Sequence, residues 1–215
     1  MKYCVAPFTT IETHSDGSDS LCCPAHNNHP KLSGNTIVER FNSPEAQAVR
    51  QTIQDGTYKY CKDTCPFLVS YKQTGKSNDF FRDKEILDTI VNNTYPIHVV
   101  SAEDRTCNLA CPSCRKDFVL THENDRDIEK EIKEVSQTLV RFTTSGSGDP
   151  LYNKKTFNLL KNMKLKDYPN LKTVEISTNG ILLNEENYNA IKHLPLDLYI
   201  SIDAAYEETY NIVRR

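Results

Sequence analysis

Three cysteines lie close together near the middle of the chain, in the segment TCNLACPSCR. Cys107, Cys111 and Cys114 are separated by three and then two residues, and no other cysteine or histidine lies between residues 99 and 121. A structural zinc ion or an ordinary iron–sulfur cluster takes four protein ligands. Spacing alone therefore leaves open a zinc site completed from elsewhere in the fold, unrelated thiols, or a cluster with one open iron.

Five of the eight cysteines form a second group, which lies in the first third of the chain. No apolar run approaches the roughly 20 residues that span a bilayer, and the start MKYCVAPF has no signal-peptide character. These observations predict no membrane partner and a cytoplasmic location. Cysteines there are kept reduced, so metal binding explains them better than disulfides; a secreted disulfide protein is the alternative.

Charge is spread evenly along the sequence. The 26 basic and 29 acidic residues give a net charge of -3 and contain no long run of either sign. This distribution argues against a general nucleic-acid-binding surface. The short run RKD, which begins at Arg115, is typical of a solvated surface.

Two elements precede residue 75 and could position the first cysteine group. FTTIETHSDGSDSLCC predicts two short strands around a turn at Gly17, because glycine accepts a positive φ without steric cost. NSPEAQAVRQTIQDG predicts a helix that is capped by Ser43, begins at Pro44 and stops at Gly56. A hairpin and one helix bury little surface, so we expect four thiolates on a metal to supply cross-links.

After residue 95 the pattern changes to strands that alternate with helices. YPIHVVSAE, LVRFTT and LKTVEIST predict three strands, and alternating apolar residues between Leu196 and Ile202 predict a fourth. This order is typical of an α/β fold with a parallel sheet, which binds ligands beyond the carboxyl ends of its strands. Each distinctive loop follows such a strand end: the three cysteines, SGSGDP, STNG and SIDAA.

This combination resembles the radical S-adenosylmethionine (SAM) superfamily. The resemblance rests on CNLACPSC, SGSGDPL, STNG and SIDAAYEETYNIVRR and covers residues 97–215. It implies a partial parallel (β/α) barrel with four of six expected βα units, hence a truncated barrel, and leaves open the activity of the 215 residues alone. Residues 1–75 resemble a SPASM or Twitch auxiliary-cluster domain, here preceding the barrel, and residues 76–96 are a predicted linker with a short helix.

The resemblance implies a chemistry for the three cysteines. In this superfamily three thiolates hold a [4Fe-4S] cluster, and the fourth iron binds the amino nitrogen and carboxylate of SAM. Reductive cleavage then gives methionine and a 5'-deoxyadenosyl radical, which abstracts a hydrogen atom from the substrate. The cysteine segment stops at three ligands because SAM is the fourth, and the protein supplies position and electrostatics.

The resemblance also carries over a set of SAM contacts. Gly148 lets the backbone come close, Asp149 is expected to accept hydrogen bonds from the SAM ammonium, and the Arg214 guanidinium suits a carboxylate. Relatives place an aromatic residue where this chain has Ser113, which leaves adenine recognition to other groups. The implied cofactor-binding residues are Ser147, Gly148, Asp149, Asn179, Ser201 and Arg214.

An auxiliary [4Fe-4S] cluster is implied by the likeness of the first 75 residues to SPASM and Twitch domains. Successive side chains on a strand point to opposite faces, so Cys22 and its neighbour Cys23 cannot readily reach one cluster together. The resemblance implies Cys22 as the iron ligand, because it lies five residues after Gly17, where SPASM-like domains place their hairpin ligand. His26 and His29 lie nearby and are weaker ligand candidates, since histidine suits zinc or Rieske-type iron better. The implied auxiliary ligands are Cys4, Cys22, Cys61 and Cys65.

Three functional hypotheses follow. The first is a radical SAM enzyme with two clusters, which acts on a peptide, a protein or another sizeable substrate. It would receive electrons from a donor such as flavodoxin or ferredoxin. The second is a zinc-binding or iron–sulfur-binding module without catalysis, and the third is an enzyme remnant that no longer turns over.

Overall fold

The computed structural model describes residues 2–76, 80–83, 88, 90, 92–121, 126–144 and 147–214. Within them the strands are β1 Lys2–Cys4, β2 Thr10–His14, β3 Asp19–Ser20, β4 Phe81–Asp83, β5 His98–Ala102, β6 Arg141–Thr144, β7 Thr173–Thr178 and β8 Leu196–Ile200. The α-helices are α1 Ala6–Thr9, α2 Ile37–Phe41, α3 Pro44–Gln54, α4 Pro66–Thr74, α5 Ile128–Glu134, α6 Lys154–Asn162, α7 Glu185–Ile191 and α8 Glu207–Val213.

Most described strands lie in one sheet of order β3-β2-β5-β6-β7-β8. All of its pairings are parallel except that between β2 and β3. The predicted parallel α/β sheet is thereby confirmed, and it is consistent with a partial radical SAM barrel. The sheet holds five parallel strands where the sequence pattern predicted four.

The additional strand is β2, from the hairpin of the first 75 residues. Thr10 pairs with His98 and His14 pairs with Ala102, so β2 continues the sheet beyond β5. The predicted division into two domains stays a prediction, but the sheet crosses its boundary. The reason is that β2 buries Ile11 against the same core as Val99 while its other neighbour, β3, is only two residues long.

Local signals for turns and caps agree with the structure. The hairpin turns at Gly17, whose φ of 78° is in the left-handed region. Helix α3 begins after Ser43, whose side chain accepts a hydrogen bond from the Ala46 amide, and is followed by Gly56 at φ 77°. These positions were predicted because they depend on residues only a few places apart.

The main hydrophobic core lies between the sheet and its helices. Ile11, Val99, Phe142 and Val174 contribute from four neighbouring strands. Helices α2, α3, α5, α6 and α7 contribute apolar side chains from the other side. The predicted helix face of Ile128, Ile132, Val135 and Leu139 is buried, although α5 itself ends at Glu134. Ile200 and Ile202, part of the alternating pattern that predicted the fourth strand, are 46% and 72% exposed.

A small second sheet lies beside α3 and α4. Strand β1 pairs antiparallel with β4, so Lys2 opposes Asp83. Strand β4 falls in the predicted linker, whose short helix lies largely outside the described residues, as do Ser145, Gly146 and Arg215. Neither β4 nor α4 was predicted, and both carry residues that enclose the first cysteine group.

Four charged side chains tie the hairpin to the helix layer. Asp19 of β3 is fully buried and forms ion pairs with Arg40 and Arg126, the latter at 2.6 Å. Glu131 of α5 binds the same two guanidinium groups at 2.7 and 2.8 Å. Each charge thus has two partners, which a buried ionic network needs in order to offset the loss of hydration.

Among the described helices, none is both long enough and apolar enough to cross a membrane.

Candidate functional site

A cavity of about 260 Å³ opens at the carboxyl ends of the parallel strands. It collects loops that follow β5, β6, β7 and β8, which are far apart in sequence. Its walls are made by Cys107, Leu109, Cys111, Cys114, Arg115, Ser147, Gly148, Asp149, Ser177, Thr178, Asn179, Ser201 and Arg214. Every residue predicted for the three-cysteine cluster and its SAM therefore lies at one site. Ser113 is exposed and lies outside this lining.

The cysteine loop is held by its own backbone. The Cys107 amide donates to the Val119 carbonyl at 2.9 Å, which fixes the start of the loop. The amides of Cys114 and Arg115 both donate to the Cys111 carbonyl, at 2.8 and 2.9 Å. This turn brings the last two cysteines close together, and these backbone hydrogen bonds define the shape of the loop.

Each of the three sulfurs accepts a hydrogen bond from a different side chain. Asn179 Nδ2 lies 3.7 Å from the Cys107 sulfur, Arg214 Nη1 lies 3.8 Å from Cys111, and Arg115 Nη2 lies 3.5 Å from Cys114. Two of these donors are guanidinium groups. Such donors suit a sulfur that carries negative charge, as a metal-bound thiolate does.

Arg115 is a site residue that the sequence pattern assigned to the solvated surface. Its Nη1 donates to the Arg105 carbonyl and its Nη2 to the Ser147 carbonyl, each at 2.6 Å. The prediction for this residue is therefore wrong. A short charged run is normally solvated, and only the approach of the Ser147 loop gives the guanidinium its partners.

Gly148 and Asp149 pack against the backbone that leads into the cysteine loop. The Asp149 amide donates to the Thr106 carbonyl at 2.8 Å. A Cβ atom on Gly148 would lie 2.3 Å from that same carbonyl oxygen. Glycine is therefore required here for contact with Thr106, whereas the sequence pattern explained it by an approach to the ligand.

Asp149 has a structural role, which the sequence interpretation did not give it. Its side chain is buried, and Oδ2 accepts hydrogen bonds from the Thr178 hydroxyl at 2.9 Å and the Asn179 amide at 2.8 Å. Oδ1 accepts from the Leu151 amide at 3.0 Å. This carboxylate therefore joins the loop after β6 to the loop after β7.

Asn179 connects the loop after β7 to the cysteines. Besides the Cys107 contact, its Nδ2 donates to Asn108 Oδ1 at 2.9 Å, and its own Oδ1 accepts from the Ile181 amide at 3.0 Å. Burial raises the pKa of the Cys107 thiol, whereas Arg115 and the Asn179 amide act in the opposite direction. The loops after β5 and β7 thus form one connected polar wall.

Arg214 reaches the site from the end of α8. Its Nε lies 2.6 Å from Asp203 Oδ2, an ion pair in which the N–H is poorly aligned for a hydrogen bond. Ser201, at the end of β8, lines the cavity beside it and donates its amide to the Thr178 carbonyl at 2.9 Å. Both residues are placed where the resemblance assigned them, and their contact with SAM stays a prediction.

A second cavity, of about 60 Å³, contains the first cysteine group. Its surface is almost entirely apolar, with aromatic rings on one side. The residues around it are Cys4, Ala6, Pro7, Cys22, Cys23, His26, His29, Cys61, Cys65, Phe67, Leu68, Phe80 and Phe81. The cavity thus brings together the four predicted auxiliary ligands, of which Cys4 and Cys65 are 61 residues apart in the sequence.

The segments that carry these cysteines are clamped together by backbone contacts. Asn27 and Cys61 form an isolated β-bridge, and the Lys62 amide donates to the His26 carbonyl at 3.0 Å. Before Cys61, Tyr58 has a φ of 51°, a left-handed conformation that is uncommon outside glycine. This turn is completed by a hydrogen bond of 2.8 Å from the Cys61 amide to the Tyr58 carbonyl.

Cys22 and Cys23 differ in their surroundings. Cys22 is partly buried, and its sulfur accepts a hydrogen bond from Asn27 Nδ2 at 3.4 Å. Cys23 is exposed, although it also borders the cavity. Asn27 thus holds the Cys22 sulfur, and iron binding by either cysteine stays a prediction.

Burial raises the pKa of three thiols in this cavity, those of Cys4, Cys22 and Cys61, and so keeps them protonated. It raises the pKa of Cys4 to about 12 and that of Cys61 to about 11, with nearby cysteines acting in the same direction. Burial also raises the pKa of Cys22 well above its usual value. Metal binding at this site must therefore release protons.

The two cavities lie at opposite ends of the sheet. The second is bordered by Ala6 and Pro7, which precede β2, whereas the first lies after the carboxyl ends of β5 to β8. Because β2 runs parallel to β5, their amino ends share one edge of the sheet. A five-residue strand is about 17 Å long, so the two sites are separated by roughly that distance.

Within the described residues, no three histidine, cysteine, aspartate or glutamate side chains are close enough to share one metal ion. The ligands of a four-iron cluster bind different irons and so lie farther apart than those of a single ion. The donor set of the first cavity, three thiols beside guanidinium and amide N–H groups, fits an anionic thiolate-bound cluster.

The fold and this site define a class: proteins with a parallel (β/α) sheet in which one strand, here β5, leads into a three-cysteine loop at the ligand-binding edge. The model of the radical SAM superfamily matches residues 105–215, more than half of the chain. The chain belongs to the radical SAM superfamily. Membership implies a [4Fe-4S] cluster and SAM as cofactors.

Two similar proteins match smaller parts of the chain. The FeMo cofactor biosynthesis protein NifB of Methanocaldococcus jannaschii is 33% identical over 93 residues, which cover 37% of this chain and 30% of NifB. The GTP 3',8-cyclase of Petrotoga mobilis is 32% identical over 126 residues, which cover 54% of this chain and 37% of the cyclase. The chain thus spans about a third of the length of these relatives.

Proposed function

We propose that Cys107, Cys111 and Cys114 anchor the superfamily's cluster and leave one iron open for SAM. The observation that carries this proposal is the separate N–H donor at each sulfur, within a cavity lined by four different loops. When bound, the cluster supplies the electron that cleaves SAM and generates the 5'-deoxyadenosyl radical. The chain itself binds, orients and shields the reacting groups.

The cavity walls suggest how SAM is oriented. Arg214 is the candidate for the SAM carboxylate, because a guanidinium can bond both of its oxygens. The Asp149 carboxylate accepts hydrogen bonds from Leu151, Thr178 and Asn179. About one of its four lone-pair sites therefore remains for the SAM ammonium. Its main contribution is therefore to hold the wall, with a single contact to the ligand.

The remaining predicted contacts come from the neighbouring loops. Ser147 and Gly148 present backbone at one side of the cavity, and Ser201 does so at the other. Ser177 and Asn179 lie between them, where the adenosine of SAM can be reached. Because Ser113 faces away, we propose that backbone groups of these loops recognise the adenine.

We further propose that Cys4, Cys22, Cys61 and Cys65 hold an auxiliary [4Fe-4S] cluster in a SPASM-like or Twitch-like region. Their common cavity and the clamped segments around it support this assignment. A cluster spreads its ligands over several irons, which accommodates cysteines that are too far apart to share one ion. A zinc module at this position would need a tighter group.

The auxiliary cluster serves electron transfer and cross-links the fold. Four cysteine ligands leave no open iron for a substrate, and the cavity lies at the sheet edge opposite the SAM site. Contact with a substrate held near SAM would have to bridge roughly 17 Å. A reducing partner such as flavodoxin or ferredoxin is the expected source of electrons.

The substrate is proposed to be a peptide, a protein or another sizeable molecule, and the enzyme to act as an oxidoreductase in the cytoplasm. The two relatives named above act in FeMo cofactor biosynthesis and on GTP, so their names indicate no common substrate. The net charge of -3 does not favour nucleic acid as the substrate.

The test is anaerobic purification and reconstitution, followed by measurement of iron, sulfide and zinc and by assay of 5'-deoxyadenosine after addition of SAM and dithionite. We expect iron and sulfide in equal amounts, little zinc, and 5'-deoxyadenosine. Zinc in place of iron would support the non-catalytic module. Iron without 5'-deoxyadenosine would support the enzyme remnant.

A further inference from the structure

His29 lines the auxiliary cavity and has a ring nitrogen that makes no hydrogen bond within the described part of the chain. Its ring lines the cavity together with the four predicted ligands. Among the described residues, the buried Nε2 of His29 has no hydrogen-bond partner. A buried ring nitrogen without a partner is costly, and natural structures usually supply one from protein, water or a bound group.

The tautomer of His29 follows from its other nitrogen. The Leu21 amide donates to Nδ1 at 3.3 Å, so Nδ1 must be the acceptor. Burial lowers the pKa of His29 to about 4, and the ring is therefore neutral near pH 7. A neutral imidazole carries one N–H, which must then be on Nε2. This nitrogen cannot bind iron while the Leu21 contact is kept.

Asn27 fixes the position of this ring relative to the cysteines. The His29 amide donates to Asn27 Oδ1 at 2.9 Å. The same Asn27 side chain donates through Nδ2 to the carbonyls of Cys22 and Cys23, each at 2.9 Å, and to the Cys22 sulfur. One amide thus sets both the cysteine turn and the start of the histidine segment.

We propose that His29 is a positioning residue of the auxiliary cluster, where its Nε2–H donates a hydrogen bond to a cluster sulfur, either a ligand thiolate or a bridging sulfide. The inference rests on the proposed auxiliary cluster. Reduction adds negative charge to the sulfurs, and a donor stabilises that charge, so His29 raises the reduction potential of the cluster.

The experiment uses the full chain with Cys107, Cys111 and Cys114 all replaced by Ala, so that only the auxiliary cluster contributes a signal. Its midpoint potential is measured by an electron paramagnetic resonance redox titration, alone and with His29→Phe or His29→Gln. Phenylalanine keeps a planar ring without a donor, whereas glutamine restores an N–H close to the position of Nε2. His26→Phe is the matched control, because the His26 ring also lines the cavity and packs edge-on against Phe67.

We expect His29→Phe to keep its iron and shift the potential to a more negative value. His29→Gln should recover part of that shift, and His26→Phe should leave the potential close to that of the parent. Labelling histidine with ¹⁵N should give the weak hyperfine coupling of a hydrogen-bonded nitrogen, which His29→Phe removes.

Three results would overturn the inference while the auxiliary cluster stands. The first is an unchanged reduction potential in His29→Phe, and the second is a shift in His26→Phe that equals the shift in His29→Phe. The third is a strong ¹⁵N coupling in the parent together with loss of iron in His29→Phe, which would make His29 a ligand. A parent protein without any iron would instead remove the auxiliary cluster itself, and the inference with it.

Discussion

The two cysteine sites of this chain are built in contrasting ways. Around Cys107, Cys111 and Cys114 the cavity is wide and lined by guanidinium, amide and hydroxyl groups. Around Cys4, Cys22, Cys61 and Cys65 it is small, apolar and bordered by aromatic rings. We call the larger cavity the open site, because one iron of its proposed cluster is left for SAM, and the smaller one the closed site, because four cysteines would occupy every iron of its proposed cluster. A large cavity with polar groups in its walls suits a charged molecule that enters and leaves, whereas a small apolar cavity suits a group that stays. Under the proposed function, the contrast separates a reaction site from a permanent centre.

The largest effect is expected from removing the thiolates of the open site. Replacing Cys107, Cys111 and Cys114 together by Ala should abolish reductive cleavage of SAM and lower the iron content from about eight to about four per chain. Iron analysis and 5'-deoxyadenosine assay are the measurements. If about four irons bind before the replacement and the same number after it, the open site holds no cluster.

The next largest effect is expected at the closed site, where two neighbouring cysteines are replaced one at a time. Cys22→Ala should remove the auxiliary cluster and increase proteolysis of residues 1–75, because metal binding and folding are coupled there. Cys23→Ala should be mild, since that side chain is exposed. Iron content and limited proteolysis are compared in the two variants. The opposite outcome would mean that the hairpin register is shifted by one residue.

Asp149 tests whether the wall of the open site is a structural unit. Asp149→Ala leaves the Thr178 hydroxyl and the Asn179 and Leu151 amides without their acceptor, so we expect a loss of about 3 kcal/mol in the free energy of unfolding. Urea denaturation of the apo-protein is the measurement. The exposed Asp117→Ala is the control, and equal stability of the two variants would contradict this role.

Arg214 tests ligand binding more than folding. Arg214→Ala should weaken SAM binding by roughly 1.5 to 3 kcal/mol, the range for hydrogen bonds to charged groups, while iron content stays unchanged. Equilibrium dialysis with labelled SAM measures this loss. The guanidinium also contacts Asp203 and Cys111, so Arg214→Lys is informative. This variant should recover little of the SAM affinity if binding depends on a guanidinium group that bonds both oxygens of the SAM carboxylate.

The smallest expected effect concerns the junction between the two regions. His98 lies in β5 beside β2, with Nε2 2.9 Å from the Thr143 hydroxyl. Burial and the charge of Arg141 lower the pKa of His98 to about 4. Because the folded pKa is below the unfolded one, its contribution is complete above pH 6.5 and is lost as pH falls toward 4.

Between pH 7 and pH 5 this group should therefore cost the protein about 2 kcal/mol of stability. His98→Gln should show a pH dependence that is flatter by that amount in urea denaturation of the apo-protein. Identical pH slopes in the parent and the variant would show that His98 titrates alike in the folded and unfolded states.

The sequence predicted features that depend on neighbouring residues and missed those that depend on distant ones. The turn at Gly17 and the cap at Ser43 were predicted because each is specified within a few positions. The pairing of Thr10 with His98 joins residues 88 positions apart, and the hairpin pattern of β2 is equally compatible with a separate sheet. No local pattern distinguishes these two cases.

The site shows the same division. The cysteines were found from their spacing, because ligand types and intervals are visible in the sequence. Arg115 was missed because its partners, the carbonyls of Arg105 and Ser147, are backbone groups that carry no sequence signal. The unused Nε2 of His29 depends likewise on the Leu21 amide, so only the folded chain reveals which nitrogen carries the proton.

The placement of the two cavities at opposite edges of one parallel sheet affects how binding partners reach them. Under the proposed function, a protein that delivers electrons to the auxiliary cluster would dock at the amino ends of the strands, while SAM and substrate would enter and leave at their carboxyl ends. Reduction and substrate exchange then need not wait for each other. In steady-state kinetics, excess substrate should accordingly not compete with the electron donor, because the two would bind at separate sites.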